Sequence, residues 1–313
     1  FAFIGVDSRA ENRKTIQKNF MKKLLALFLL LAAFTTTQAQ PEKEIADTLR
    51  ERIDVGKTIQ GISVAVIDEK GTRFINYGKM DKTAGAKNVD ENTLYEIGSI
   101  TKAFTGILLA QAVERGEVRL DDPISKHLPI SKTPIRGGKE ITLIDLITHS
   151  SGLPSLPTNF QIKSMVNPYA DYTVAQLYEF LSTYQLTRDI GAQYEYSNVG
   201  MGLVGHILSL KAGMSYENLV KTRILKPLKM NDTTITLSPA LKAKMSQGFD
   251  DGGEPASWWD LPTLAGAGAL RSNAKDMAKF MAANAGLTKS KLFSAFAESH
   301  KFRRAAGGTM KIG

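Results

Sequence analysis

Glu96-Ile97-Gly98-Ser99-Ile100-Thr101-Lys102-Ala103-Phe104-Thr105-Gly106 sets a hydroxyl and an amine three residues apart where a helix begins. Residues three apart share a helix face. Gly98 is read as allowing a tight approach to that helix. Ala103, Phe104, Ile107, Leu108 and Ala110 supply the apolar face that buries it and fixes Ser99 in its first turn. There the positive end of the helix dipole favours developing negative charge. A serine hydroxyl is a weak nucleophile until a base takes its proton, and a desolvated lysine shifts toward the neutral form that can do so. The spacing alone is not specific, because Ser272-Asn273-Ala274-Lys275 repeats it. In that second copy Ser272 reads as the cap of a helix reaching about Ala283, with Lys275 solvated.

Tyr196-Ser197-Asn198 lies in Gly191-Ala192-Gln193-Tyr194-Glu195-Tyr196-Ser197-Asn198-Val199-Gly200, a turn that leads into the apolar run Met201 to Leu210. A tyrosine and an asparagine two apart at a helix entrance can present a phenol and an amide to one cleft. The competing reading is an aromatic core plug followed by an Asn cap. Two further blocks stand between and after these motifs: Ile147-Thr148-His149-Ser150-Ser151-Gly152-Leu153-Pro154, and Gly266-Ala267-Gly268-Ala269-Leu270-Arg271-Ser272-Asn273.

In this order the four blocks resemble the penicillin-recognising serine hydrolases, most closely the class C β-lactamase-like branch with its related D,D-peptidases and esterases. The resemblance runs from about Gly61 to the C-terminus. It implies an α+β fold, a mainly antiparallel sheet flanked by helices, with the cleft between the sheet and an inserted helical domain. It also implies acyl transfer to Ser99, proton traffic shared by Lys102 and Tyr196, and an oxyanion contact from the Ser99 backbone N–H. Asn198 would hold the substrate amide. Lys102 and Tyr196 are treated as one titrating unit, and the sequence does not say which is the base. The implied reaction is hydrolysis of a small-molecule β-lactam; a peptidase acting on a peptidoglycan-type D-Ala-D-Ala substrate or an esterase is the alternative within the fold, and a catalytically silent module that captures peptidoglycan fragments is the alternative outside catalysis. No cofactor and no metal are implied.

The family's third motif, a Lys/His-x-Gly strand, has its letters in Lys311-Ile312-Gly313. That tripeptide is read as a coincidence, so the motif, the late strands and the closing helix are expected to be missing, and this chain by itself to be inactive. Residues 1–20 read as translated flanking sequence, since no methionine precedes Met21. Residues 21–39 read as a secretory signal peptide: Lys22 and Lys23, an apolar run from Leu24 to Phe34, then Thr37-Gln38-Ala39 as the cleavage site. Residues 40–313 are then a partial hydrolase domain. The apolar run is too short for a span of about 20 residues. Export to the periplasm or beyond, without a stable membrane anchor and as a monomer, is the expectation.

Charge and composition exclude other classes. Without residues 1–39 the formal charge falls from +9 to +5, 34 basic against 29 acidic side chains. The basic residues are scattered among acids, which argues against a nucleic-acid partner. Lys301, Arg303 and Arg304 read as a solvated helix end. The chain has no cysteine, hence no disulfide and no thiolate metal site. His127, His149, His206 and His300 show no paired-ligand spacing, and no G-x-S-x-G elbow occurs. Gly266-Ala267-Gly268 lacks the third glycine of a nucleotide-binding turn. His149 could serve a Ser-His pair but is read as structural, at a helix terminus, and Trp258 and Trp259 either line a cleft or fill a core, with core the default.

At this length a large core is available. Helices are predicted over Glu42 to Ile53, Leu143 to His149, Val174 to Leu186, Met201 to Ala212 and Tyr216 to Leu225, the last capped by Ser215. Gly61 to Asp68 and Thr72 to Tyr77 read as a β-hairpin joined at Glu69-Lys70-Gly71.

Overall fold

The computed structural model describes residues 42–57, 59–307 and 310–312. The flanking and signal segments read from the sequence, residues 1–39, lie outside the described residues. The chain divides into two units, 1–57 and 58–313. In the first, helix α1 spans 42–50 and continues as one π-helical turn at Glu51–Val55, with Lys43 and Asp47 paired at 2.6 Å along its surface.

The second unit opens with the predicted hairpin. Strands β1 (Gly61–Asp68) and β2 (Gly71–Gly78) pair antiparallel from Gly61 opposite Gly78 to Asp68 opposite Gly71. Glu69 and Lys70 make the turn, the Asp68 carboxylate accepts the Lys70 N–H at 2.8 Å, and Gly71 takes the positive φ of 122° that closes it. The chain then runs through β3 (Tyr95–Glu96), α2 (Thr101–Glu114), β4 (Ile135–Arg136), β5 (Lys139–Glu140), α3 (Leu143–Ile147), α4 (Val174–Thr183), α5 (Asn198–Ala212) and α6 (Tyr216–Val220). After it come α7 (Pro239–Lys242), β6 (Gly248–Phe249), β7 (Pro255–Ala256), α8 (Ala265–Gly268), β8 (Arg271–Ser272), α9 (Ala274–Asn284), α10 (Phe293–Ser299), β9 (Arg304–Gly307) and β10 (Met310–Ile312). Among the described residues every named strand pairs antiparallel. No described helix is long and apolar enough to cross a membrane.

Helix α2 is the centre of the core. Phe104, Ile107 and Leu108 are fully buried, and Phe104 stacks on Phe280 of α9 at 4.3 Å, which meets Phe296 of α10 edge-on at 5.7 Å. Ala103, expected on the buried face, is exposed. Helix α5 reaches α8 through glycine: a β-carbon on Gly205 would lie 2.9 Å from the Gly266 Cα, and one on Gly266 3.0 Å from the Gly205 Cα. The two backbones touch only because neither residue carries a side chain.

Several boundaries move for physical reasons. Helix α4 stops at Thr183, since Tyr184 turns extended at φ −67°, ψ 130°. Helix α5 starts three residues before the predicted Met201, because Ser197 caps it by accepting the Gly200 N–H at 2.9 Å. The cap of α9 is Asn273, which accepts the Asp276 N–H at 2.8 Å, and not Ser272. Ser272 sits in β8 opposite Tyr95, with its hydroxyl 2.8 Å from that of Thr233. Lys275 is exposed, as read. Trp258 and Trp259 are not core: Trp258 is half-buried and donates its indole N–H to the Ser246 carbonyl at 3.0 Å, while Trp259 is 45% exposed. Nor is the basic run at 301–304 simply solvated, for Lys301 and Arg303 both pair with Glu298, and Arg304 pairs with Asp145 at 2.7 Å. Lys311 and Ile312 lie in β10, which pairs with β9; Gly313 is outside the described residues.

Candidate active site

Ser99 is pinned from both sides by the segment 270–272. Before it, β3 pairs with β8 and the Ile97 N–H donates to the Leu270 carbonyl at 3.0 Å. After it, the Thr101 hydroxyl accepts the Leu270 N–H at 3.2 Å. Between them Gly98–Ile100 forms a 3₁₀ turn that runs into α2. Gly98 makes this possible by its φ of 49°, while the space where its β-carbon would sit is open. Its role is thus backbone conformation, and the tight approach read from the sequence is not present.

One turn on, the Lys102 ammonium donates to Ser99 Oγ at 2.9 Å, Asn198 Oδ1 at 2.8 Å and the Ala267 carbonyl at 2.7 Å. An ammonium has three N–H donors, and all three are engaged. Burial pushes the Lys102 pKa down, opposed by the hydrogen-bonding and charge of Tyr196. The Tyr196 hydroxyl donates to Ser99 Oγ at 2.6 Å, and Lys102 Nζ sits 4.6 Å from the centre of its ring. Both lone pairs of Ser99 Oγ are therefore engaged, one by the amine and one by the phenol; whichever of the two loses its proton accepts the serine O–H instead of donating to it.

The four residues read from the sequence thus meet at one point, although Ser99 and Lys102 come from the α2 entrance and Tyr196 and Asn198 from the α5 entrance. Asn198 does not cap α5, since Ser197 does, and its amide is free to turn to Lys102. Tyr196 is no core plug either, at 38% exposed.

His149 lies beyond the end of α3 at φ 54°, consistent with a helix terminus. Its ring is 4.8 Å from that of Tyr196, and its Nδ1 accepts the Ser197 N–H at 3.0 Å. Burial, then the charge of Lys102, push its pKa down to about 4. Three further features lie outside the four motif residues, the first of them in contact with Lys102. The Ala267 carbonyl is one. The second is Glu96, whose carboxylate accepts the Trp259 N–H at 2.7 Å and faces the buried Arg271 at 3.4 Å. The third is an aromatic rim: Tyr169 meets Trp259 at 5.5 Å and Phe160 at 5.1 Å. Asn167 and Asp260 tie the two rim loops by reciprocal hydrogen bonds of 3.0 and 2.9 Å.

A serine, an amine, a phenol and an amide in this arrangement coincide with a family-wide match. The family model described as Beta-lactamase matches residues 45–311. The chain belongs to the β-lactamase family. It is 31% identical to a β-lactamase of Escherichia coli K12 over 84% of this chain and 67% of that protein. It is 32% identical to the D-alanyl-D-alanine-carboxypeptidase/endopeptidase AmpH of the same organism over 83% of this chain and 69% of that one. A β-lactamase of Pseudomonas fluorescens matches at 29% over 77% and 64%. The chain thus spans about two thirds of the length of these relatives. Among solved structures, a class C β-lactamase from Rhodobacter sphaeroides superposes with a TM-score of 0.71 at 27% identity, covering 82% of this chain and 70% of that one. A class C β-lactamase in complex with cefoxitin gives 0.73 at 25%, covering 84% and 71%. The fold is the β-lactamase/transpeptidase-like α+β fold that the four sequence blocks imply, and the chain is a serine β-lactamase-like hydrolase.

Proposed function

We propose that Ser99 is the nucleophile of an acyl transfer to β-lactam substrates, in a protein exported to the periplasm or beyond and acting as a monomer. The observation that carries this is Ser99 Oγ held simultaneously at 2.9 Å from Lys102 Nζ and 2.6 Å from the Tyr196 hydroxyl. Ser99 Oγ attacks the lactam carbonyl carbon and gives its proton to the Lys102/Tyr196 pair. The C–N bond breaks, the pair returns the proton to the departing nitrogen, and water then cleaves the ester. Asn198 holds Lys102 and reaches the substrate amide. The Ser99 N–H supplies one oxyanion contact.

The relatives support two substrates, since one bears the name of a D-alanyl-D-alanine carboxypeptidase. Both reactions acylate the serine, and rapid deacylation separates a β-lactamase from a peptidase. The test is intact-mass spectrometry of the full-length protein with a penicillin, followed by turnover of a chromogenic cephalosporin, a D-Ala-D-Ala peptide and a short-chain ester. A penicilloyl adduct that Ser99→Ala abolishes is expected. An unchanged mass, or an adduct surviving Ser99→Ala, overturns the assignment.

A further inference from the structure

The chemistry above makes no use of His149, yet this residue grips the Tyr196 segment at three consecutive positions. Its carbonyl accepts the Glu195 N–H at 2.7 Å, its Nδ1 accepts the Ser197 N–H at 3.0 Å, and between these its ring lies 4.8 Å from the Tyr196 ring, tilted by 31°. On another side Tyr194 meets the imidazole edge-on at 5.6 Å. The backbone that allows this has a φ of 54°, a left-handed conformation that residues with a β-carbon seldom adopt. Ser150 and Gly191 extend the seam, the Gly191 N–H donating to the Ser150 carbonyl at 2.8 Å.

We infer that His149 is a positioning residue for Tyr196, its ring and its Nδ1 together fixing the phenol so that the hydroxyl points at Ser99; this rests on the acyl-transfer reading above. With Nδ1 accepting, the ring proton is on Nε2 and the imidazole is neutral. A neutral ring packs against the phenol without placing a second cation beside Lys102. Its depressed pKa agrees with that state.

The test separates ring from acceptor in the full-length protein. His149→Asn suits a left-handed backbone and offers an amide oxygen to the Ser197 N–H, but lacks the ring. His149→Phe keeps a ring and lacks the acceptor. Ser99 reactivity is read with a fluorophosphonate probe, which needs only an activated serine, and with a penicillin, resolving the maximal acylation rate from the half-saturating concentration. His149→Asn is expected to unfold within a few degrees of the parent yet acylate at least tenfold more slowly, with half-saturation changed less than twofold. His149→Phe is expected to melt earlier and label faster than His149→Asn, an inversion that a purely structural role would not produce. In a Tyr196→Phe background, His149→Asn is expected to cause no further loss. Parental rates in His149→Asn, or a full additional loss on Tyr196→Phe, overturn the inference; should His149→Phe fail to fold, the Tyr196→Phe pair decides. A parent labelled by the fluorophosphonate but not by penicillin overturns only the β-lactam reading, and one labelled by neither overturns both.

Discussion

At Lys102 a point charge has three fixed acceptors: Ser99 Oγ, Asn198 Oδ1 and the Ala267 carbonyl. Guanidinium is planar, stays protonated and cannot place three donors around one nitrogen. Lys102→Arg is therefore expected to abolish acylation of Ser99 almost as fully as Lys102→Ala, measured by the rate of adduct formation with penicillin. Retention of most of the rate would make Lys102 an electrostatic residue and Tyr196 the base. Because burial lowers the Lys102 pKa, the proton-accepting form exists at lower pH than for an exposed lysine, so the acid limb of the acylation rate should lie below the ordinary lysine range. Ser99 and Lys102 were legible because helix spacing turns three residues into one face. The Ala267 acceptor was not, because a carbonyl has no letter of its own. His149 was legible as the end of a helix and illegible as the partner of Tyr196, since the contact joins positions 47 residues apart.

The position of that carbonyl is decided by packing between elements. Helix α8 presents Ala267 to Lys102 because α5 meets it at Gly205 and Gly266 with no side chain between them. Gly205→Ala would drive a β-carbon to 2.9 Å from the Gly266 Cα, where backbone and not a flexible side chain must yield. Overpacking of this kind typically costs about 1–3 kcal/mol, against a gain in helix propensity of up to ~1 kcal/mol. A lower unfolding midpoint together with slower acylation is expected. Gly106→Ala in α2 is the contrast, since its β-carbon meets open space, and it is expected to leave stability equal or higher. If Gly205→Ala melts no earlier than Gly106→Ala, the close approach does not matter. At this scale the sequence was most legible where local rules act alone: the hairpin of β1 and β2, and the Ser215 cap of α6. It was least legible where two residues pair with two others far along the chain, as in β3 and β8, because so short a strand has no alternation to read.

Across the molecule, groups far apart in sequence make folding depend on pH in separable windows, Glu217 and His149 among them. Glu217 of α6 accepts hydrogen bonds from Thr234, Ile235, Thr236 and Lys221, and so holds the segment that pairs with Arg271 of β8. Burial raises its pKa, but these donors outweigh it and bring the carboxyl down to about 2 from 4.5. A depressed carboxylate stabilises the fold above its unfolded value, and that contribution is lost as pH falls from 4.5 through about 2. His149 is depressed as well, from 6.5 to about 4, chiefly by burial and then by Lys102, with Tyr194 and Tyr196 also facing it. For a histidine the consequence appears at higher pH: the unfolded chain binds a proton near 6.5 that the folded one refuses until about 4. Stability from this source is complete above 6.5, falls between 6.5 and 4, and is level below, at about 1.4 kcal/mol per unit of pKa difference. Urea unfolding of the parent should then show a midpoint falling first between pH 7 and pH 4, then further toward pH 2. His149→Asn is expected to reduce the first fall, to which the lowered His127 and His206 also contribute, and leave the second, while Glu217→Gln, less stable at neutral pH through loss of a charged acceptor, is expected to reduce the second, to which the lowered Asp122 also contributes, and leave the first. An unchanged first fall in His149→Asn would mean that the folded imidazole binds its proton as readily as the unfolded one, so that burial and Lys102 do not depress it.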